Sequence, residues 1–352
     1  MPTDVPADGN PAGVRADVAG AAAEPSGTGR RAVPWRAILL AIIVAGLILV
    51  PFGLGNFWLR VTTTMLMFAG LGHAMQLMIG LAGLPALGNI VFFGVGAYAA
   101  ALLTLRVGLP PPVAIGLGGA VAAAVGLATS RAMLSLRGSY FLMATVALNF
   151  ALLELVQVTR EWTNGPQGLT LPSIVSGSPQ TVYLTFYFLF LAVLGASSLL
   201  IVLIRRSRLG YGLLAIKGNE DAALMLGIPA FRYKAMAWCA SAALSGVIGG
   251  IYAMWIGYID PESVFDLLIS LTVILMVLLG GRLLILGPIL GAFAYELVDV
   301  IAWRELNEAR LAGLGIALVV VVRYLPGGLP ELVDHVRRWR RSRAGTEVAD
   351  AA

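Results

Sequence analysis

The chain has 352 residues, of which 59% are hydrophobic and only 12% are charged. Soluble domains carry about 25% charged residues, so this composition excludes a soluble globular protein and predicts an all-α polytopic membrane protein in a lipid bilayer. The formal net charge is +5, but the basic residues are not interleaved with aromatic ones as on a nucleic-acid surface, and we expect no nucleic-acid partner.

The two ends of the chain differ from its apolar middle. Residues 1–33 are rich in Pro, Gly and Ala and lack an apolar core, which predicts a disordered cytosolic tail rather than a cleavable signal peptide. Residues 331–352 are charged and predict a second cytosolic tail. We therefore expect the membrane-spanning domain to occupy residues 34–330.

Apolar segments of membrane-spanning length fill this domain. A helix needs about 20 apolar residues to cross a bilayer, and the hydropathy pattern predicts about ten such helices. Their ranges are 37–55, 61–81, 84–105, 113–130, 139–158, 183–204, 235–256, 264–281, 284–302 and 311–325. Basic residues collect on the cytosolic side of membrane proteins. With both termini cytosolic, few of the 24 Lys and Arg residues lie outside, namely Arg60, Arg106, Arg160, Arg304 and Arg310.

The segment Gly80–Leu103, GLAGLPALGNIVFFGVGAYAAALL, carries small residues at helical spacing. Helices in lipid associate through close packing, so small residues mark their contact faces. Pro85 and the glycines around it predict a broken or re-entrant helix start, which is tolerated only beside protein or a water-filled cavity. We therefore expect Gly88, Asn89 and Gly94 either to serve tight packing or to line a substrate pathway.

The fifth predicted span and the loop after it contain polar residues and a turn. Asn149 and Glu154 lie within the span, with Glu154 near its outer end. The loop 159–182 contains the sequence TNGPQGL, whose glycines permit a sharp turn that exposes backbone N–H groups. Thr163 and Gly165 are therefore candidates for contact with a carboxylate-bearing substrate or a docked binding protein. A plain external turn is the alternative.

Residues 205–234, called here the 205–234 loop, form the longest charged interruption of the apolar pattern. Asn219 is a predicted helix N-cap, and Gly227 is the predicted stop. The acidic residues of the first turn, where the helix dipole favours anions, are Glu220 and Asp221.

The helix predicted in this loop, residues 220–226, would be about 10 Å long. Its small apolar face consists of Ala222, Ala223 and Leu226. A short capped helix on a cytosolic loop suits insertion into a groove on a soluble partner. The alternative is a solvated basic loop that only sets the topology.

The 205–234 loop resembles the cytoplasmic coupling loop in the permease subunits of ABC importers for branched-chain amino acids, the LivM/LivH type. The family pattern is roughly R-S-x-x-G-x-x-x-x-A-[IV]-[RK]-x-[ND]-x-x-A-A-x-x-x-G-[IV]-x-x-x-x-x-K. The matching residues are Arg206, Ser207, Gly210, Ala215, Ile216, Lys217, Asn219, Ala222, Ala223, Gly227, Ile228 and Lys234.

Weaker resemblances to the same family lie elsewhere between residues 80 and 330. The Gly80–Leu103 segment keeps most of a glycine-rich signature, but Ala86 and Asn89 stand where the family has serine and histidine. The sequence LRGSYF in the fifth span and TNGPQGL after it also match. A second glycine-rich signature, residues 280–292, is interrupted by Arg282, Leu283 and Leu284.

This resemblance implies the permease subunit of an importer that moves branched-chain or related amino acids across the bacterial inner membrane by alternating access. It implies two ATP-binding subunits, a second homologous permease, and an extracytoplasmic binding protein as partners. It also implies two related five-helix halves with broken Gly-rich helices. The candidate ATPase-coupling residues are Asn219, Glu220, Asp221, Ala222, Ala223, Leu226 and Gly227. The candidate pathway residues are Gly88, Asn89, Gly94, Asn149, Thr163 and Gly165.

Catalytic motifs are missing from the sequence. It has no G-x-x-x-x-G-K-[ST] phosphate loop, no credible nucleophile–base pair and no metal-spaced Cys/His cluster. We therefore expect no catalytic residue, metal or cofactor and place ATP hydrolysis in a partner.

Three alternative functions stay open. The changes at Ala86 and Asn89 permit a urea, amide or sugar permease of the same class. His73, Glu154 or Glu296 could serve an ion-coupled secondary transporter. A non-transporting membrane scaffold is the third.

Overall fold

A computed structural model describes residues 51–173, 177–281 and 284–302, together with isolated positions at 46, 47, 49, 313 and 316. The chain consists of two units, residues 1–50 and 51–352. The helices and strands from Asn56 to Ala302 belong to the second unit. Both predicted tails, almost all of the predicted span 311–325 and most of the span 37–55 lie outside the described residues.

Helices form most of the described chain because backbone polar groups must be paired internally in lipid. The long helices are α1 (Asn56–Gln76), α2 (Ile90–Arg106), α3 (Pro111–Leu134), α4 (Ser139–Val158), α6 (Pro179–Arg206), α9 (Ala230–Ile256), α11 (Leu267–Gly280) and α12 (Gly287–Ala302). The short elements are α5 (Arg160–Thr163), β1 (Leu169–Thr170), α7 (Arg208–Gly218), α8 (Glu220–Met225), β2 (Tyr258–Ile259) and α10 (Pro261–Val264).

Seven of the described helical segments are long and apolar enough to cross a membrane. They coincide with the predicted spans from 61–81 to 264–281, and α12 occupies the predicted span 284–302. An all-α polytopic membrane protein is therefore confirmed. The count of ten spans and the arrangement in two related halves stay predictions.

The centre of the bundle is the packing of α9 against α2 and α3. A side chain on Gly96 of α2 would overlap with the backbone of Gly246 on α9, and one on Gly249 would overlap with the carbonyl of Phe93. The small residues of both helices are therefore needed for backbone-to-backbone contact, as their helical spacing predicted.

A second group consists of α1 with α6 and α12. His73 on α1 is fully buried and forms hydrogen bonds to Ser197 Oγ at 2.8 Å and to the carbonyl oxygen of Ile285 at 3.0 Å. Gln76 Nε2 donates to the carbonyl oxygen of Leu284 at 2.6 Å. These polar side chains hold the turn before α12 against α1.

The two ends of the bundle carry different structures. Helices α6 and α9 both run to the 205–234 loop, which joins them at one end. At the opposite end β1 pairs antiparallel with β2, with Leu169 opposite Ile259. A helix of the length of α9, which has 27 residues, separates the ends by about 40 Å.

Candidate functional site

The 205–234 loop contains the capped helix that the sequence predicts. Asn219 Oδ1 accepts a hydrogen bond from the backbone N–H of Ala222 at 3.1 Å, which makes Asn219 the N-cap of α8. Gly227 has φ +80°, and the N–H of Ile228 beyond it donates to the carbonyl oxygen of Ala223 at 3.0 Å. The left-handed glycine and this bond close the helix as in other glycine-terminated helices.

Helix α8 is fixed to the rest of the loop by its inner face. Ala223 is buried in a small apolar cluster with Ile216 of α7 and Ala230 of α9. Glu220 Oε1 lies 2.7 Å from Lys234 Nζ, whose side chain is only 8% exposed. An apolar contact and a largely buried ion pair therefore hold the short helix in one orientation.

The outer face of α8 is apolar and exposed. Met225 is 90% exposed and Leu226 is 80% exposed, and Leu224 and Ala222 are also at the surface. The sequence predicted one small apolar face formed by Ala222, Ala223 and Leu226. In the structure only Ala222 and Leu226 are exposed, whereas Ala223 is buried against the rest of the loop. Exposed apolar surface beside charged residues is typical of a protein-interaction site.

A hydrogen bond joins this loop to the broken helix start between α1 and α2. Lys217 Nζ on α7 donates to the carbonyl oxygen of Gly80 at 2.6 Å. Gly80 belongs to a π-helical extension of α1, Leu77–Ala82, which ends at Gly83 with φ +73°. A Cβ atom on Gly83 would lie 2.8 Å from Lys217 Cγ, so the lysine stem packs directly on the turn.

The break itself runs from Gly83 to the short 3-10 turn Leu87–Asn89 that leads into α2. Asn89 is buried, donates to Ser245 Oγ at 3.2 Å and accepts from Ser241 Oγ at 3.0 Å. The first N–H of α2, at Ile90, donates to Ser270 Oγ at 3.2 Å. Serines on α9 and α11 thus satisfy the polar groups that the break frees.

A small cavity lies beside this polar cluster. Its lining includes Asn89, Ile90 and Ser270 together with apolar side chains of α1 and α11, and it has room for about one water molecule. An amino acid does not fit into it. The helices are therefore closely packed at this level of the bundle.

The remaining candidate pathway residues lie along α2, along α4 and beyond the end of α4. A side chain on Gly88 would overlap with the carbonyl of Thr145, and a Cβ on Gly94 would lie 2.5 Å from the ring of Phe265. Asn149 Nδ2 donates to the carbonyl oxygen of Phe265 at 2.8 Å. Gly88, Gly94 and Asn149 therefore serve contacts between elements in this conformation.

Thr163 and Gly165 form a turn after α4, apart from the other candidates. Thr163 Oγ1 donates to the carbonyl oxygen of Val156 at 2.6 Å and accepts from the N–H of Gly165 at 3.2 Å. Gly165 has φ +60°. Both residues shape the turn, which leads into β1.

The comparison with known proteins identifies the chain. Residues 57–322 match the family described as branched-chain amino acid transport system, permease component. The chain belongs to this permease family. The match includes both the 205–234 loop and the broken start of α2, so the resemblance inferred from the sequence is confirmed. The chain is a permease subunit of an ABC importer and not an enzyme.

Two relatives carry the name high-affinity branched-chain amino acid transport system permease protein LivM. The permease is 29% identical to the one from Salmonella typhimurium (strain LT2) over 320 residues, which is 83% of this chain and 73% of that protein. It is 28% identical to the one from Escherichia coli (strain K12) over 328 residues, or 84% and 75% of the two chains. No solved structure matches the permease.

Ionisable residues inside the permease do not form a chemical centre in the described ranges. Both ring nitrogens of His73 are engaged, Glu296 is buried and Glu154 is exposed on α4. Within residues 51–173, 177–281 and 284–302, no group of three or more His, Cys, Asp and Glu is placed to hold a metal ion.

Sequence reasoning missed the partners of the broken helix. The serines at 241, 245 and 270 sit in apolar segments where no local pattern distinguishes them from packing residues. Lys217 matched the family pattern, but its contact with Gly80 joins residues 137 positions apart. Only the fold brings these groups together.

Proposed function

We propose that this permease subunit imports branched-chain or related amino acids, driven by ATP hydrolysis in partner subunits. The observation that carries the proposal is the exposed apolar face of α8, held rigidly at one end of a membrane bundle. The names of the two LivM relatives supply the substrate class. The proposed coupling residues are those of the capped helix: Asn219, Glu220, Asp221, Ala222, Ala223, Leu226 and Gly227.

The proposed assembly has two ATP-binding subunits, a second homologous permease and an extracytoplasmic binding protein. The 205–234 loop faces the cytosol together with both termini, because it carries a cluster of basic residues. The end with β1 and β2 then faces the extracytoplasmic side, where the binding protein docks. The turn at Thr163 and Gly165 lies at that end; these two residues are buried, and Asn164 and Gln167 of the same turn are exposed to it.

The proposed mechanism transmits force through Lys217. Closure of the ATP-binding subunits pushes α8, the contact of Ala223 with Ile216 passes the displacement to α7, and the pair of Glu220 with Lys234 passes it to α9. The bond from Lys217 to Gly80 then carries it to the break before α2. Movement of α2 changes the contacts at Gly88, Asn89 and Gly94, and the closed bundle opens to one side of the membrane at a time.

Within the same importer class, a urea, amide or sugar substrate is the alternative that the sequence left open. Asn89, which replaces the family's histidine, is bonded to α9 serines in the closed bundle. The substitution therefore changes a contact between helices, and it supports no change of substrate class by itself.

The function is tested with the complete complex in proteoliposomes. We expect ATP-dependent uptake of leucine, isoleucine or valine when the loaded binding protein is present. Leu226→Glu places a charge on the proposed docking face and should abolish uptake and co-purification of the ATP-binding subunits, while Leu226→Met should retain both. Uptake that needs only an ion gradient, or full activity in Leu226→Glu, would overturn the proposal.

A further inference from the structure

Two buried polar atoms on α2 and α4 have no hydrogen-bond partner among the described residues. They are Tyr98 Oη, in a side chain that is 3% exposed, and Asn149 Oδ1, in a fully buried side chain. Buried polar groups are nearly always paired, so an unpaired one needs an explanation. The indole N–H of Trp238 is also unpaired, and its ring lies at a steep angle to the rings of Phe92 and Phe141.

Both unpaired atoms belong to side chains that contact Phe265. Asn149 Nδ2 donates to the backbone oxygen of Phe265, and the Tyr98 ring stacks on the Phe265 ring with centroids 6.3 Å apart. Because the amide nitrogen of Asn149 must face that carbonyl, its amide oxygen is the unused atom. An amide oxygen only accepts hydrogen bonds, whereas a phenol hydroxyl can donate or accept.

Phe265 lies outside the two helices that it contacts. It lies in the short linker between α10 and α11 and is buried. Gly94 makes room for the ring, since a Cβ there would lie 2.5 Å from it. Helix α10 contacts both α2 and α4, and it follows directly after the β1–β2 pair. The ring therefore packs on α2, while the backbone oxygen of the same residue is bonded to α4.

We propose that Phe265 is a plug over an occluded amino-acid site. When the ring withdraws, Asn149 Oδ1 accepts from the substrate's ammonium group, Tyr98 Oη donates to its carboxylate, and an aliphatic side chain fills the space beside Gly94. Polar groups within membrane spans are costly and mark substrate paths, which explains why the closed state keeps them without a partner. This inference rests on the proposed function, because it assigns the site for that substrate.

The first test removes only the unpaired hydroxyl. If Tyr98 had a structural role alone, Tyr98→Phe would leave uptake unchanged. As a substrate contact, it should lower the uptake rate about tenfold, the factor for one hydrogen bond to a charged group, with thermal stability kept or increased. Tyr187→Phe, which removes another buried hydroxyl on α6, should not change uptake. Wild-type uptake in Tyr98→Phe would overturn the inference.

The second test measures access to the site. Cys239 is the single cysteine, so Cys239→Ser gives a cysteine-free chain into which Asn149→Cys is introduced. We expect a membrane-impermeant maleimide to label position 149 slowly, and about tenfold faster when Phe265→Ala is added. Equal labelling rates would overturn the plug. If the unaltered complex transports leucine but neither the uptake rate of Tyr98→Phe nor the labelling rate with Phe265→Ala changes, only this inference is refuted. If it transports no amino acid, the proposed function falls.

Discussion

Lys217 forms a hydrogen bond between the 205–234 loop and the broken helix start. Its ammonium group caps the π-helical end of α1 at Gly80, and its aliphatic stem covers Gly83. A charged donor on a backbone carbonyl at a helix end is favourable because the helix dipole places negative charge there. The same side chain thus stabilises the break and ties it to the 205–234 loop.

Replacing Lys217 should separate ATP hydrolysis from transport. Lys217→Met keeps the packing on Gly83 but removes the ammonium donor, at a cost of about 1–3 kcal/mol. We expect assembly and ATPase activity to continue while the amount of amino acid imported per ATP falls. Lys217→Arg, which retains a donor, should keep the wild-type ratio. A ratio unchanged in Lys217→Met would mean that the bond carries no force.

The ion pair of Glu220 with Lys234 should matter more for stability than the one of Asp221 with Arg137. The first joins atoms 2.7 Å apart with the lysine largely buried, so Glu220→Gln leaves a buried ammonium without its counter-charge. We expect a loss of about 1–3 kcal/mol in unfolding free energy. The second pair is 3.8 Å apart and exposed, so Asp221→Asn should cost less than about 1 kcal/mol. Unfolding in detergent measures both, and equal losses would contradict this reasoning.

At the scale of helices and loops, local chemistry made part of the structure predictable. Hydropathy located the spans because lipid demands long apolar helices, and Asn219 and Gly227 defined α8 because capping is a local interaction. Pro85 and its neighbouring glycines predicted the broken start of α2 for the same reason. The orientation of α8 was not predictable, since the burial of Ala223 depends on Ile216 and Ala230 in other elements.

The contact between α9 and α2 should tolerate no added methyl group at its closest point. Gly249→Ala places a Cβ against the backbone of Phe93, which cannot move aside as a side chain can, so we expect a loss of about 1–3 kcal/mol. Gly195 on α6 is the matched control, because a Cβ there has no atom within 4 Å. Gly195→Ala should leave the detergent unfolding temperature unchanged or higher. An unfolding temperature that Gly249→Ala leaves unchanged would show that α9 and α2 do not pack backbone to backbone at this point.

Within the described part of the bundle, the proposed functional residues form a route from the 205–234 loop to the middle of α2 and α4. In the proposed mechanism, force enters at α8, passes through α7 and Lys217 to the break, and reaches α2, which begins after Asn89 and carries Tyr98 at its middle. The contacts along α2 are close packing at glycines and hydrogen bonds, which a small displacement breaks. Packed elements of this kind switch between discrete arrangements rather than deform gradually.

This route predicts that the nucleotide state of the ATP-binding subunits controls access to position 149, in the middle of α4. In the complete complex with Cys239→Ser and Asn149→Cys, we expect the rate of maleimide labelling to differ between the ATP-trapped and the nucleotide-free state. The ratio of the two rates should be on the order of 5 to 150, which corresponds to the usual range of coupling free energies. Lys217→Met should remove the difference, because it cuts the connection between α7 and the break, whereas Lys217→Arg should keep it. If labelling responds to nucleotide equally in both variants, the signal travels by another path, such as α9 directly. If it responds in none of the complexes, the two ends of the bundle move independently.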